Sequence, residues 1–388
     1  MSTGAILVLN AGSSSIKFAI YEAGTEPSEL TRGFVENLGP AALLKFEGLN
    51  GDGEQHELGA ADHSVALCEI LDHASRMLQQ RPLVGVGHRI AHGGIDFTGP
   101  TRLDDEILTR LRTLNPLAPL HQPHNLAAVD AARTVFPYAI QIGCFDTAFH
   151  RGHPWVNDTF ALPRHYYKKG VRRYGFHGLS YQYVTGALSS SAPDVSNGRI
   201  VIAHLGNGAS MCAIREGRSV ASTMGFSALD GLPMGTRCGQ LDPGVLLYLM
   251  NQEKMTPDQI ENLLYHESGL KGLSGLTNDM RMLEASPLPE ARQAIDYFVF
   301  RIRRELGAMC AVLGGLDALV FCGGIGENAA SIRTGVCAGM DWIGLSIDET
   351  RNRSNEPLIS NGKTPVLVIN TDEERVIARS TAEFLCTA

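Results

Sequence analysis

The sequence contains 388 residues, of which 44% are hydrophobic, and its formal net charge is −8. This length is enough for two domains that each bury a core, and the acidic balance without a sustained basic run argues against nucleic acid as the main partner. No apolar run is long enough to cross a bilayer, so the expected partners are small molecules rather than nucleic acid or a membrane.

The eight cysteines are scattered along the chain and never form a CxxC pair. Isolated cysteines of this kind are typical of buried, reduced thiols in a cytoplasmic protein. The first residues also lack the basic segment and the apolar stretch of a secretory signal peptide. A cytoplasmic location is therefore expected.

The chain opens with a predicted β-hairpin. Residues 5–9 and 16–21 are rich in aliphatic and β-branched side chains, and the small residues NAGSSS at 10–15 form a turn between them. Such a turn exposes backbone N–H groups and lets an anionic oxygen approach closely, as phosphate-binding loops do. Because most turns of this composition are only turns, the hairpin alone does not establish a phosphate site.

A second unit of the same kind lies about half the chain further on. Residues 199–205 (RIVIAHL) are predicted as a buried strand, GNGAS at 206–210 is a glycine turn, and apolar character resumes at 211–214. Two strand–turn–strand units at this separation suggest duplicated domains.

The rest of the chain alternates between predicted helices and predicted strands. The helical segments are 65–78, 126–136, 291–313 and 374–385, and the strands are 318–321 and 366–369. This alternation predicts an α/β architecture. A domain boundary is expected near residues 150–158, where Gly and Pro interrupt the pattern. Before the last helix, Thr371 and Glu374 have the spacing of a capping box.

Other functional motifs fail or stay ambiguous. NGKT at 361–364 ends like a Walker A motif, but Pro357 occupies the position of the first required Gly. GIGENA at 324–329 fits either a dinucleotide-binding turn or a glycine platform under a nucleotide. The sequence has neither HExxH nor GxSxG, so a zinc protease and a serine hydrolase are not favoured.

Several polar segments stand out in chain order. They are GHRIAHGG (87–94), APLHQPHN (118–125), CFDTAFH (144–150), YGFHGLS (174–180), HLGNGAS (204–210), MGFSALDGLPMGTRCGQLDP (224–243) and FCGGIGEN (321–328). Together with the opening hairpin, they resemble the acetate kinase family, within the sugar kinase, chaperone and actin ATPase superfamily. The resemblance implies two ribonuclease H-like domains of the actin ATPase type with a nucleotide cleft between them.

The resemblance also implies a domain arrangement, an oligomeric state and a reaction. The N-terminal domain would comprise residues 1–149 with a closing helix from 371–388, and the nucleotide-binding domain residues 150–370. The family forms homodimers, so a homodimer is expected. The expected reaction is reversible transfer of the γ-phosphoryl group of ATP to acetate, giving acetyl phosphate and ADP, with Mg²⁺ or Mn²⁺ as cofactor.

Residue roles follow by similarity to the family. The implied catalytic residues are Arg89, His121, Asp146, His177 and Arg237. Asn10 and Glu373 would hold the metal ion; Glu374 is the alternative, disfavoured because a capping box would occupy it. The implied nucleotide contacts are Lys17, His204, Leu205, Gly206, Asn207, Gly208, Asp279, Met280, Arg281, Gly324, Ile325, Gly326, Glu327 and Asn328.

The acid-binding pocket departs from the family pattern. Its implied residues are Arg89, Ala91, Leu120, Phe176 and Ala228. Ala91 stands where the family has Val and Ala228 where Pro is expected, so the pocket is predicted to be larger and to accept propionate as well as acetate. Three alternatives stay open: propionate kinase as the main activity, a non-catalytic actin-like or chaperone-like nucleotide switch, and an oxidoreductase that uses the GIGENA turn.

Overall fold

The computed structural model describes residues 4–12, 15–47, 53–78 and 81–387. Ser13 and Ser14 of the predicted phosphate turn lie outside the described residues. Contacts between Cα atoms divide the chain into two compact units. The first comprises Met1–Phe149 and Asp372–Ala388, and the second comprises His150–Thr371.

The strands form one sheet in each unit. In the first unit they are β1 (Ala5–Ala11), β2 (Ile16–Glu22), β3 (Ser28–Glu36), β4 (Gly39–Glu47), β5 (Gly53–Ala61), β6 (Leu83–Ile90), β7 (Thr101–Arg102) and β8 (Ile140–Phe145). In the second unit they are β9 (Arg199–Leu205), β10 (Ala209–Arg215), β11 (Arg218–Ser222), β12 (Ala318–Cys322) and β13 (Val366–Val368).

The helices are interspersed among these strands. In chain order they are α1 (His63–Leu78), α2 (Asp105–Arg112), α3 (Gln122–Val135), α4 (Trp155–Asp158), α5 (Arg164–Lys168), α6 (Gly178–Ser191), α7 (Pro243–Asn251), α8 (Pro257–His266), α9 (Gly269–Ser274), α10 (Met280–Ala285), α11 (Pro289–Leu313), α12 (Gly323–Asn328), α13 (Ala330–Cys337), α14 (Glu349–Arg353) and α15 (Glu373–Thr387). Short 3-10 turns occupy Asn115–Leu117, Ala148–His150 and Asp341–Ile343.

Both predicted hairpins are confirmed. β1 pairs antiparallel with β2, with Asn10 opposite Lys17, and the amide of Gly12 donates to the carbonyl of Ser15 at 2.8 Å. β9 pairs antiparallel with β10, with Leu205 opposite Ala209. Asn10, near the end of β1, and Asn207, in the turn after β9, therefore lie at the ends of equivalent strands of the two units.

The two sheets share one topology. The strand orders β3-β2-β1-β6-β8 and β11-β10-β9-β12-β13 each combine an antiparallel meander with two parallel strands. In the first unit the sheet continues through β4 and β5 at one edge and β7 at the other. This shared strand order agrees with the duplicated domains that the sequence suggests.

Both faces of the first sheet are covered, so β1 is buried along its whole length. On one face Leu7 and Leu9 pack in a cluster with residues of α1 and α3. The other side of β6 packs against α15, where a Cβ added to Gly87 would clash with Cγ2 of Ile377. A glycine is required at Gly87 because the helix backs onto the strand this closely.

The core of the second unit lies between its sheet and α11. The helix buries residues at helical spacing, including Ala291, Ile295, Phe298 and Ile302, against strand residues such as Val201. It ends at Gly314, whose φ of 75° gives the left-handed termination that glycine favours. Within the described part of the chain, no helix combines the length and apolar character needed to span a membrane.

The predicted capping box before the last helix is wrong. Asp372 caps α15, because its Oδ1 accepts from the amide of Arg375 at 3.0 Å. The hydroxyl of Thr371 instead hydrogen-bonds Ser180 at 2.8 Å, and the carboxylate of Glu374 accepts from Asn10. Glu374 is therefore directed toward the predicted metal site rather than back to its own helix.

Candidate active site

In the first unit, Arg89 and Asp146 form a buried ion pair where two parallel strands end. Arg89 lies near the end of β6 and Asp146 directly follows β8, and the carboxyl ends of parallel strands lie at the same sheet edge. Nη2 of Arg89 donates to Oδ2 of Asp146 at 2.6 Å, and Nε lies 3.1 Å from both carboxylate oxygens. The Asp146 carboxylate therefore fixes the orientation of the Arg89 guanidinium.

Asn10, Glu373 and Glu374 complete this cluster. Nδ2 of Asn10 donates to Glu373 at 3.2 Å and to Glu374 at 2.9 Å, while its Oδ1 accepts from Nη1 of Arg89 at 3.3 Å. Nε of Arg89 also lies 3.9 Å from Oε2 of Glu373. With Asp146, three carboxylates thus lie around Asn10 and a single guanidinium, which leaves an excess of negative charge.

Burial and the neighbouring charges shift the pKa values of Arg89 and Asp146 in opposite directions. Burial raises the pKa of the Asp146 carboxyl, and the adjacent Arg89 guanidinium opposes that rise. Burial lowers the pKa of Arg89, but the Asp146 and Glu373 carboxylates outweigh it and leave that pKa above its ordinary value. Arg89 therefore keeps its positive charge.

The loop after Arg89 is held by two buried amides that sequence reasoning missed. The amide of Ala91 donates to Oδ1 of Asn125 at 2.9 Å, and Nδ2 of Asn125 donates to the carbonyl of Ala11 at 2.6 Å. Gln122 accepts from the amide of His92 and donates to its carbonyl, at 3.0 Å each. The only sequence signal was the polar run APLHQPHN, in which both amides lie.

The other predicted residues of the first unit are His121, Leu120 and Lys17. His121 is the residue before α3 and is half-buried, and Leu120 is half-buried beside it in sequence. Lys17 is exposed on β2. Ala91 itself is buried, with 3% of its surface exposed.

In the second unit, His177 lies against the second glycine turn. It has a φ of 58° and precedes α6, and its Nδ1 lies 2.8 Å from Oγ of Ser210. A Cβ on Gly208 would lie 3.2 Å from Nε2 of His177 and 4.0 Å from Nη1 of Arg237. Gly208 therefore leaves open a space bordered by an imidazole and a guanidinium, which suits an anionic oxygen.

His204 and Ser180 support this arrangement. The ring of His204 stacks on His177 with centroids 4.3 Å apart, and its Nδ1 lies 2.8 Å from Oγ of Ser180. His204 thus contacts the His177 ring directly. The resemblance to the family implies that His204 also contacts the nucleotide.

Arg237 lies beside the predicted acid-pocket residues of its own unit. Its Nη1 donates to the carbonyl of Ala228 at 3.4 Å, and its guanidinium lies 6.0 Å from the ring centre of Tyr265. Phe176 precedes His177 in sequence and is 5% exposed in the core of the unit, and Ala228 packs against that core.

A pocket of about 740 Å³ adjoins the second glycine turn. The predicted nucleotide contacts that line it are Gly206, Asn207, Asp279, Met280, Arg281, Gly324, Ile325 and Asn328. Asn278, Glu284 and Ala329 also line it and were not predicted from the sequence. Nδ2 of Asn278 donates to Oδ1 of Asn207 at 3.1 Å, which joins two sides of the pocket. A pocket of this size between a glycine turn and a short helix accommodates a nucleotide.

Five predicted nucleotide contacts of the second unit lie outside this lining. They are His204, Leu205, Gly208, Gly326 and Glu327. Leu205 and Gly326 are buried in the unit. Oε1 of Glu327 accepts from the amides of Gly323 at 2.8 Å and Thr371 at 3.1 Å, so this carboxylate is used to fix backbone.

The fold and the site residues together define the class to which this protein belongs. Two sheets of one topology, each with a polar turn after its first strand, are those of a two-domain actin-like ATPase. The family model for the acetokinase family matches residues 5–379. The chain belongs to the acetokinase family.

Individual relatives agree with this assignment. An acetate kinase of Methylocella silvestris is 53% identical over 98% of both chains. The crystal structure of the Porphyromonas gingivalis acetate kinase matches with a TM-score of 0.88 and 37% identity, over 98% of this chain and 100% of that one. A propionate kinase from Francisella tularensis matches with a TM-score of 0.91 and 33% identity, over 98% and 99%.

Proposed function

We propose that this protein transfers the γ-phosphoryl group of ATP to acetate, reversibly, giving acetyl phosphate and ADP. The observation that carries this proposal is the space at Gly208, bordered by His177 and Arg237 and adjoining the nucleotide-sized pocket. Fixed donors of this kind stabilise the charge that spreads over the phosphoryl oxygens in the transition state.

The acid is proposed to bind at Arg89. A planar guanidinium presents paired N–H groups to a carboxylate, and the two bonds that Arg89 donates to the oxygens of Asp146 fix its plane. One acetate oxygen attacks the γ-phosphorus, forming the acyl–phosphate bond as the bond to the ADP oxygen breaks. Because acetate is already ionised near neutral pH, this step needs no general base, and Asp146 serves to orient Arg89.

The residues around Asn10 fit a divalent cation. The described residues contain no group of three or more His, Cys, Asp or Glu side chains arranged to hold a metal by themselves. Asn10, Glu373 and Glu374 nevertheless supply oxygen ligands of the type that Mg²⁺ prefers, in a cluster with excess negative charge. We propose that they hold Mg²⁺ or Mn²⁺ directly or through water, where the ion would neutralise polyphosphate charge.

Nucleotide binding is assigned to the 740 Å³ pocket. Gly206 and Gly324 leave room for phosphate and ribose, and Asp279 caps α10 at the pocket edge while pairing with the exposed Arg281 at 2.6 Å. We propose that the phosphate end of ATP points toward Gly208.

Propionate is proposed as a second substrate. Ala91 is buried in the loop after Arg89 and has no methyl groups beyond Cβ, which leaves space for a longer acid. The structural relative named propionate kinase is consistent with such a substrate. One methylene in an apolar pocket is worth about 1–3 kcal/mol, so both acids are expected to react.

We further propose that the protein is a homodimer and is located in the cytoplasm. None of the residues of α7 is buried, although Leu247, Tyr248 and Met250 are large and apolar, so this helix is the proposed contact with a second copy. All eight cysteines are free thiols, as suits a reducing compartment.

A hydroxamate assay tests the function. Purified protein with ATP and MgCl₂ is expected to form acyl hydroxamate from acetate and from propionate, and little from butyrate. A nucleotide switch would form none with any acid, and an oxidoreductase would require a nicotinamide cofactor instead of ATP. Either of these results would overturn the proposal.

A further inference from the structure

The guanidinium of Arg333 is buried against α12, the helix that forms one wall of the nucleotide pocket. Arg333 is 0% exposed, and each of its N–H groups has an acceptor. Nη1 donates to the carbonyls of Gly326 at 2.8 Å and Glu327 at 2.9 Å. Nε and Nη2 donate to Asn352 at 2.7 Å each, and Nη2 also donates to Oδ1 of Asn355 at 2.5 Å.

These acceptors are all neutral. Among the described residues, no carboxylate acts as a charge partner of the Arg333 guanidinium. A buried cation is costly unless its hydrogen bonds compensate, so Arg333 depends on these five bonds. Two of them go to carbonyls near the C-terminal end of α12, where the helix is partially negative.

Asn352 makes the network rigid. It is 0% exposed, and its Nδ2 donates to the carbonyl of Ala330 and to Oγ1 of Thr334, at 2.9 Å each. Its side-chain and backbone oxygens both accept from Arg333. The network therefore joins α12, α13 and α14 with every polar group satisfied, which is the condition under which buried polar groups specify one conformation.

α12 needs such support because it has only six residues. A helix this short has no stability of its own, and its order comes from its surroundings. Gly324, Ile325 and Asn328 of this helix line the nucleotide pocket. A wall that is already ordered binds a ligand more tightly, because binding then carries no ordering cost.

We infer that Arg333 is a positioning residue for the nucleotide, which holds the Gly324–Asn328 wall of the pocket in its binding conformation from behind. The inference rests on the proposed function for the identity of the ligand. Arg333 makes none of the contacts that hold Arg89 or Asp146, so its loss is expected to weaken ATP and ADP binding and to leave acetate binding unchanged.

Two variants test this inference. Arg333→Lys keeps the charge but cannot reach the five acceptors. Asn355→Gly removes one acceptor at an exposed residue whose φ of 51° glycine adopts without strain. Arg353→Lys, at an exposed residue of α14, is the matched control. For each protein, the Kd of ADP is measured by calorimetry, together with the KM values of ATP and acetate, kcat and Tm.

Arg333→Lys is expected to raise the Kd of ADP and the KM of ATP by about tenfold or more, with kcat within threefold and the KM of acetate within twofold. Asn355→Gly is expected to raise the same nucleotide constants about threefold, and Arg353→Lys to change nothing. A folded Arg333→Lys protein with unchanged ADP affinity would overturn the inference, as would parallel changes in both KM values. If Arg333→Lys does not fold, Asn355→Gly decides by the same criteria. Failure of the unaltered protein to bind ADP would refute the proposed function itself.

Discussion

At the scale of single residues, two kinds of buried polar group have different consequences. Arg89 and Asp146 are paired, and we propose that their orientation serves a ligand. His88 is 1% exposed, its ring lies 2.8 Å from Gln141, and its Nδ1 has no hydrogen-bond partner in the described residues. The ion pair is the proposed catalytic group, whereas the buried imidazole is expected to affect stability.

His88 is expected to make the fold sensitive to acid. Burial lowers its pKa to about 4. As the pH falls, the unfolded chain is therefore protonated at this residue near pH 6.5, whereas the folded chain is protonated only near pH 4. The free energy of unfolding should therefore fall by about 2 kcal/mol between pH 7 and pH 5 on account of this residue. Urea unfolding at several pH values measures this slope.

The variant His88→Gln keeps an amide donor for Gln141 and cannot be protonated. It should reduce the pH dependence, whereas His266→Gln at an exposed position of α8 should leave it unaltered. An unchanged pH dependence in His88→Gln would show that the titrating group lies elsewhere.

Ala91 is expected to set the choice of acid. Ala91→Val adds two methyl groups and should lower the ratio of kcat/KM for propionate to that for acetate by about tenfold or more. Ala308→Val, at an exposed residue of α11, is the control and should leave the ratio unchanged. A more than hundredfold preference for acetate in the unaltered protein would contradict a pocket enlarged at Ala91.

At the scale of elements, the β9–β10 turn carries the phosphate end of the proposed site. Gly208 has no left-handed φ, so Ala can adopt its backbone conformation, and the added Cβ would occupy the space beside His177 and Arg237. Gly208→Ala should raise the KM of ATP about tenfold with little change in Tm. Steady-state kinetics and thermal unfolding measure both quantities.

Gly307→Ala is the matched control for this substitution. A Cβ there meets no atom within 4 Å, and Gly307 lies inside α11, so the variant should keep full activity and gain about 0.5–1 kcal/mol in stability. Equal KM values for ATP in the two variants would mean that the turn at Gly208 does not contact nucleotide.

The sequence predicted elements best where their signal is local. The hairpins at Asn10 and Asn207 were predicted because apolar runs and a small-residue turn lie side by side in the chain. The cap of α15 was assigned to the wrong residue because Thr371 and Asp372 both suit that position, and only the contact of Thr371 with Ser180 decides between them.

Contacts between distant residues could not be predicted. Asn125 binds the carbonyl of Ala11, 114 positions away in sequence, and Arg333 finds its acceptors on two other helices. No periodicity or motif encodes such pairs. They follow from the strand order of each unit, which brings residues together only once the sheets have formed.

At the scale of the whole molecule, α7 is expected to form the dimer contact. Leu247 is 59% exposed and Tyr248 is 53% exposed, although both are large and apolar. Leu247→Glu should convert a dimer into a monomer in light scattering, because it places a charge in the interface. Tyr138→Glu, at a fully solvated position of the first unit, is the control and should remain dimeric. A monomeric unaltered protein, or a dimeric Leu247→Glu variant, would count against this interface.

We propose that Arg89 and Arg237 are both required for the same phosphoryl transfer. The most direct test is a double-mutant cycle on kcat/KM for acetyl phosphate formation, with Arg89→Ala, Arg237→Ala and both together. Each single variant is expected to lose about a hundredfold or more, and the double variant to lose much less than the product of the two losses, because either arginine is of little use without the other. Losses that multiply, or a single variant that keeps most of its activity, would contradict the claim.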